Sequence, residues 1–224
     1  MKKRLFQITL FLIAVVPYSM GADLRLPREG HTGNVSAGMV INPWKNLDFI
    51  GWQFGLSYHY QASDYALIGP SFYYHHHTGA MHLKDMPMVS LPPDYKTELA
   101  LNAVRLGMQF LINPAARMSK MKYMWPYFSG DIGLAIQNVS DVKTDATHIT
   151  NVSDWSGDLY LKPGIGLLFY PRAKVTVYGE LSYLFIPTYK FMYKEFNLFG
   201  QPLNKPMNFN TDGFICEIGV FVNF

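Results

Sequence analysis

Apolar residues alternate with polar or small residues along much of the chain. In the clearest segment the apolar positions are Leu159, Leu161, Pro163, Ile165, Leu167 and Phe169. Because successive side chains of a β-strand point to opposite faces, a period of two predicts a strand with one apolar face. The pattern recurs in seven further segments, whose apolar faces begin at Val35, Trp52, Ile68, Val104, Phe128, Val175 and Phe214. The sequence therefore predicts an all-β protein of eight strands.

The connections between these predicted strands alternate in length, except that the first, near Pro43 to Asp48, is short where a long one is expected. Those after the second and sixth strands are short, at 61–64 and 171–174. The long ones, after the third, fifth and seventh strands, are 75–95, 139–155 and 187–210. Membrane barrels have short periplasmic turns and long external loops, so we predict an eight-stranded antiparallel up-and-down transmembrane β-barrel with both termini in the periplasm. Residues 189–196 alternate again and predict a hairpin turning near Phe199 and Gly200, which leaves eight or ten strands open.

The alternation alone does not say which face points inward. A soluble eight-stranded barrel of the lipocalin type would place the apolar face inside. Here the second face is rich in glycine, serine, tyrosine and charge, which suits the polar interior of a membrane barrel. Aromatic residues also gather beside the short connections, as in an interfacial girdle: Tyr58, Tyr60, Tyr65, Phe110, Tyr123, Trp125, Tyr127, Phe169, Tyr170 and Phe224. We therefore expect the apolar face to contact lipid.

The first residues have the pattern of a secretory signal peptide. Lys2, Lys3 and Arg4 precede an apolar run that ends before Pro17 and is too short to span a bilayer. We predict a signal peptide over 1–21, a short periplasmic segment over 22–32 and the barrel over 33–224. The formal net charge of +3 comes from 19 Lys and Arg against 16 Asp and Glu, and removal of the three leader cations would cancel it. Nothing in this balance suggests nucleic-acid binding.

The end of the sequence carries the most specific resemblance. Its last predicted strand runs from Phe214 to Phe224, has an apolar residue at every second position and closes on an aromatic residue. The chain resembles the OmpA and OmpX-like superfamily of small outer-membrane barrels over about residues 33–224. The resemblance implies a monomer in contact with outer-membrane lipids and an assembly signal read by the barrel assembly machinery. The residues of that signal would be Phe214, Ile218, Val220, Val222 and Phe224.

Five ionisable residues fall on the predicted inner face: Arg105, Asp131, Lys162, Glu180 and Glu217. Pairing of neighbouring strands places Arg105 near Asp131, and Glu180 near Glu217 with Lys162 beside them. Small barrels fill their lumen with side chains, so we expect a salt-bridged cluster that seals the tube. A gate or proton relay is the alternative, because two adjacent carboxylates need not both ionise.

A histidine-rich segment follows the third predicted strand. It contains His75, His76, His77 and His82, with Met86 and Met88 beyond them, and His75 and His77 share one face. Imidazole with thioether would suit copper, and imidazole alone would suit zinc. No carboxylate or cysteine completes a recognised ligand spacing. The expectation is a solvated loop without metal, in which His75, His77 and His82 are weak candidates.

Catalysis is a further hypothesis, because some outer-membrane barrels modify lipid A with a histidine and a serine near the external rim. Here Ser57 and His59 share a face, but it points inward near the periplasm, and His148 lies in a loop. We therefore expect no enzymatic activity and no cofactor. The favoured role is structural or surface-interacting, with a possible extracellular ligand. The alternatives are a narrow channel of the OmpW type for small or apolar solutes, and a lipid A-modifying enzyme.

Overall fold

The computed structural model describes residues 30–42, 50–63, 66–82, 96–113, 123–143, 153–169, 174–186, 189–196, 202–209 and 211–224. These residues form strands with the following bounds: β1 His31–Ile41, β2 Ile50–Ser63, β3 Ala66–His82, β4 Lys96–Ile112, β5 Met124–Lys143, β6 Ser153–Phe169, β7 Val175–Leu184, β8 Tyr189–Phe196, β9 Pro202–Phe209 and β10 Gly213–Asn223. The described part of the chain contains no helix long and apolar enough to cross a membrane. The predicted signal peptide over 1–21 lies outside the described residues.

Eight strands close into an antiparallel barrel in the order β1-β10-β7-β6-β5-β4-β3-β2. Strands β1 to β6 are each paired with the next strand in sequence, and β7 is paired with β10 across the β8–β9 segment. Strand β1 closes the barrel against β10, with Val35 opposite Val220. Closure gives every barrel strand a paired neighbour on each side, and the backbone groups of these ladders are satisfied without water. The predicted all-β class and up-and-down barrel are confirmed.

The remaining two strands, β8 and β9, form a separate hairpin. They pair with each other over their whole length, from Tyr189 opposite Phe209 to Phe196 opposite Pro202. The question of eight or ten strands is thus answered by eight strands in the barrel and two in this hairpin. The predicted turn at Phe199 and Gly200 lies outside the described residues.

The apolar face of the wall points outward, as predicted. On β2, Trp52 is 52% exposed and Phe54 is 40% exposed, whereas Gln53 between them is 2% exposed. The same alternation holds along β1, β7 and β10. An apolar exterior around a polar interior is the arrangement of a transmembrane barrel and the reverse of a soluble one.

Both ends of the barrel chain meet at one rim. The backbone N–H of Phe224 donates to the carbonyl of His31 at 2.9 Å. We call this rim the terminal end and the opposite rim the distal end. Strands β3, β4 and β6 have 17 residues each and β5 has 20, well beyond the ten or so that cross a bilayer at the usual tilt.

The wall is weakest between β6 and β7. Continuous pairing there covers only Gly164–Phe169, and a single bridge joins Leu161 to Phe185 beyond it. The bridge keeps the same register, which puts Pro163 opposite Tyr183. Proline has no backbone N–H to donate across the ladder, which accounts for the interruption at this point.

Two sequence-based details differ from the structure. The third strand does not end near Tyr74 but continues to His82, so the histidine segment belongs to the wall. Trp125 and Tyr127 do not join an outer girdle, because both are 2% exposed and point into the lumen. The alternation through β5 places them on the inner face with Ser129 and Asp131, and their aromatic character alone was misleading. Tyr58, Tyr60, Phe110, Tyr123 and Phe224 do lie on the exposed surface.

Candidate functional site

The centre of the lumen contains a buried ion-pair network built on Lys162. Its Nζ lies 3.4 Å from Oε1 of Glu180 and 3.3 Å from Oε2 of Glu217, and all three side chains are buried. Glu180 and Glu217 are directly opposite each other on β7 and β10, as the sequence predicted. One ammonium thus lies against two carboxylates in a region without solvent. Such a group must be paired, because an isolated buried charge is very costly.

Tyrosine hydroxyls complete the surroundings of the two glutamates. Tyr127 donates to Oε2 of Glu180 at 3.0 Å, and Tyr178 donates to Oε1 of Glu217 at 2.8 Å. The amide of Gln53 also donates to Glu217. These donors favour the charged carboxylates and hold them in fixed positions. The sequence pattern predicted the charges but not these partners, although Tyr178 stands on the inner face of its alternation.

Arg105 is joined to this network through an amide and does not pair with Asp131. Its Nη2 donates to Gln53 at 2.6 Å, and its guanidinium carbon lies 4.9 Å from the ring centre of Tyr73 and 5.5 Å from that of Tyr160. The predicted Arg105–Asp131 pairing is therefore wrong. The register places Gln109, not Arg105, opposite Asp131, so the two charges are offset along the barrel.

Asp131 has its own set of donors. Ser71 donates to both carboxylate oxygens at 3.0 and 2.9 Å, and Tyr160 donates to Oδ1 at 2.9 Å. Tyr160 also flanks the guanidinium of Arg105, so this one side chain contacts both Arg105 and Asp131. All five predicted interior charges are thus buried in the lumen, held as a network rather than as separate pairs.

Apolar side chains close the lumen above and below the charged layer. Toward the terminal end, one buried cluster consists of Leu111, Tyr127, Tyr178 and Phe221, with Leu67 and Leu168 packed against it. Toward the distal end, a second cluster consists of Val40, Ala135, Tyr160, Leu184, Ile186 and Ile215. The described lumen therefore contains an ionic layer between two apolar clusters, and further buried polar side chains such as His59 and His75 lie beside them. Such an interior is packed rather than open, as in other small barrels.

The histidine segment is not a solvated loop. His75 and His77 are buried on the inner face of β3, and their ring centres lie 4.7 Å apart at 78°. His76 points outward, where its Nδ1 lies 2.7 Å from Oδ1 of Asn102. The expectation failed because the alternation weakens at Tyr73 and Tyr74, which obscured the continuing strand. The backbone of His82 ends β3.

The other candidate residues have structural surroundings. His59 is buried and its Nε2 lies 3.0 Å from Oε1 of Gln109, while Ser57 accepts a bond from Asn34 at 3.0 Å. Neither lies at a surface that a lipid could reach, and His148 is outside the described residues. The predicted assembly signal has its aromatic and isoleucine residues on the exposed wall: Phe214, Ile218 and Phe224. Val220 and Val222 share that face and are half-buried.

Comparisons with known proteins identify the fold alone. No family model matches this sequence, and no curated protein is similar to it. The solved structure of the outer membrane protein OprG from Pseudomonas aeruginosa is 12% identical, with a TM-score of 0.55, and covers 88% of this chain and 96% of its own. A major outer membrane protein from Thermus thermophilus is 14% identical, with a TM-score of 0.53, and covers 87% of this chain and 99% of its own. The chain therefore has the fold of the small outer-membrane β-barrels.

Proposed function

We propose that this chain is a non-conducting, non-enzymatic barrel of the bacterial outer membrane that acts by presenting its distal end to the cell exterior. The observation that carries the proposal is the buried ion-pair network packed between two apolar clusters in the lumen. A solute would have to displace both apolar clusters and separate Lys162 from two carboxylates. With transport through the centre disfavoured in this way, the surfaces outside the membrane are left to carry the activity.

The proposed orientation places the terminal end in the periplasm. The long strands support it, because β5 has 20 residues and only about ten are needed to cross the apolar band. Strands β3 to β6 therefore project beyond the membrane at the distal end. Outer-membrane barrels place their long connections outside and their short turns in the periplasm. Both ends of the barrel, which meet through His31 and Phe224, then face the periplasm.

The β8–β9 hairpin is the proposed contact surface. Among the described strands, β8 and β9 pair only with each other, so each has one edge to which no described strand is paired. An exposed strand edge can add an extended segment of another protein by backbone hydrogen bonding. We therefore assign the hairpin a role in adhesion or surface recognition of a protein ligand.

Two experiments test this proposal separately. Purified protein reconstituted in planar bilayers should give no steady conductance, and a large stable conductance would contradict the filled lumen.

Cells that display the protein should bind immobilised collagen, laminin or epithelial monolayers more than cells without it, and deletion of 190–206 should remove that gain. A variant in which the same segment is replaced by glycine and serine of equal length controls for loop length. Undiminished binding by both variants would contradict the role of the hairpin.

A further inference from the structure

Two buried imidazoles lie side by side in the distal half of the lumen and have no part in the ion-pair network. His75 and His77 are two residues apart on the inner face of β3, with ring centres 4.7 Å apart. Both are 3% exposed or less. Gly51 on the neighbouring strand makes room for one of them, because a Cβ added there would lie 2.8 Å from Nδ1 of His77. A glycine at this place leaves room for the His77 ring beside β2.

The ring nitrogens of His75 lack hydrogen-bond partners. Neither Nδ1 nor Nε2 of this ring has a hydrogen-bond partner, although the side chain is completely buried. The amide of Gln137 is buried and unpartnered in the same way. Ala103 on β4 is opposite His75 on β3 and also opposite Gln137 on β5. Only the small side chain of Ala103 therefore lies between His75 and Gln137. Leaving such polar groups without a partner costs about 1–3 kcal/mol each, so the arrangement favours a ligand that would satisfy them.

We infer that His75 and His77 form a transition-metal site, with Oε1 of Gln137 as a third donor. Neutral imidazoles offer lone pairs that suit Cu²⁺ or Zn²⁺, and the lack of carboxylates disfavours Mg²⁺ and Ca²⁺. Each metal–nitrogen bond is about 2.0–2.1 Å long, so one ion occupies less room than a hydrogen-bonded water between the rings. Two histidines and an amide make a partial coordination sphere. Among the described residues, no three His, Cys, Asp or Glu side chains are grouped so that they could hold a metal ion.

The charge around the site is mixed, because the guanidinium of Arg105 acts on both His75 and His77 and opposes a cation there. The interior network as a whole contains Arg105 and Lys162 against Asp131, Glu180 and Glu217, which gives it one excess negative charge when all are ionised. The site is separate from the β8–β9 hairpin, so the inference is independent of the proposed surface role. It assigns metal binding to residues that the sequence predicted to lie in solvent.

His76, which lies between His75 and His77 in the sequence, serves as the control for metal binding. Purified protein in detergent, first stripped with a chelator, is titrated with Cu²⁺ and followed by electron paramagnetic resonance, and with Zn²⁺ by calorimetry. The wild type should bind one ion per chain with splitting from two nitrogens. His75→Ala and His77→Ala should each lower the affinity at least about tenfold. His76→Ala should leave it unchanged, because that ring points outward to Asn102.

Folding is monitored by the β-sheet circular dichroism of each variant, so that lost binding is not mistaken for unfolding. His75→Gln and His77→Gln serve as milder variants if either alanine substitution fails to fold, and they should lose the nitrogen splitting. The inference is overturned if the folded wild type binds no ion. It is equally overturned if binding survives in folded variants lacking both inner histidines, or if His76→Ala alone abolishes it.

Discussion

Replacement of Lys162 by methionine should destabilise the barrel by about 3–5 kcal/mol, the usual cost of removing one partner of a buried ion pair. Methionine has a similar length and stays apolar, so it fills the space without supplying the charge. Glu180 and Glu217 would then face each other across the β7–β10 pair with no cation between them. Their repulsion and lost pairing act together on the folded state.

The size of this destabilisation follows from the distances between Lys162 Nζ and the carboxylates of Glu180 and Glu217. At 3.3 and 3.4 Å, each attraction amounts to ~5 kcal/mol for an effective dielectric constant of about 20, or ~10 kcal/mol together. Returning the ammonium to water on unfolding recovers several kcal/mol of this. The bonds from Tyr127 and Tyr178 persist in the variant and hold the carboxylates in place. The free energy of unfolding of the Lys162→Met variant is therefore lower by about 3–5 kcal/mol.

Equilibrium unfolding in urea, with the barrel in lipid vesicles and its tryptophan fluorescence as the signal, measures this loss. Lys174→Met is the matched control, because Lys174 is exposed beside the start of β7 and its loss should cost no more than about 0.5 kcal/mol. Adding Glu217→Gln to Lys162→Met should recover part of the stability by removing one unpaired charge. If Lys162→Met unfolds within about 1 kcal/mol of the control, the buried network does not have the energetic role argued for it.

Three further outcomes can be measured. Gly133→Ala should destabilise the barrel by about 1–3 kcal/mol in the same urea assay, because a Cβ there would collide with the backbone carbonyl of Leu106, whereas Gly157→Ala, with open space around it, should have little effect; equal stabilities would contradict the close approach. Phe224→Ala should reduce the amount of folded protein in the outer membrane of expressing cells while leaving refolding in detergent intact, and unchanged assembly in cells would contradict the assembly signal. Tyr127→Phe removes a donor to Glu180 and should cost about 1–3 kcal/mol, and no loss of stability would contradict that bond's role.

The sequence predicted which side chains face into the barrel better than it predicted how the inner side chains pair with one another. Alternation reports directly which side of a strand a residue occupies, so the inner positions of Lys162, Glu180 and Glu217 followed from it. Pairing across strands depends on register, and an offset between neighbours is invisible in the alternation of either strand alone. That is why the Glu180–Glu217 neighbourhood was correct while the Arg105–Asp131 pairing was wrong.

The histidines and the inner aromatics were misassigned for a related reason. The inner face of β3 carries Tyr73, His75 and His77, and the outer face carries Tyr74 and His76. When both faces have similar side chains the period of two disappears, and the end of the strand cannot be located. Burial by the closed wall, rather than the local sequence, keeps these residues inside.

The direct test of the outward apolar face uses the single cysteine. Cys216 is exposed on the outer wall of β10, and its neighbour Glu217 is buried inside. A nitroxide label on Cys216 in vesicles should collide readily with oxygen dissolved in lipid and be protected from a water-soluble nickel chelate. A label on Ser36→Cys, placed in a Cys216→Ser background, should be shielded from both reagents because Ser36 lies inside the barrel. Ready collision of the Cys216 label with the nickel chelate, together with oxygen contact at position 36, would contradict the account.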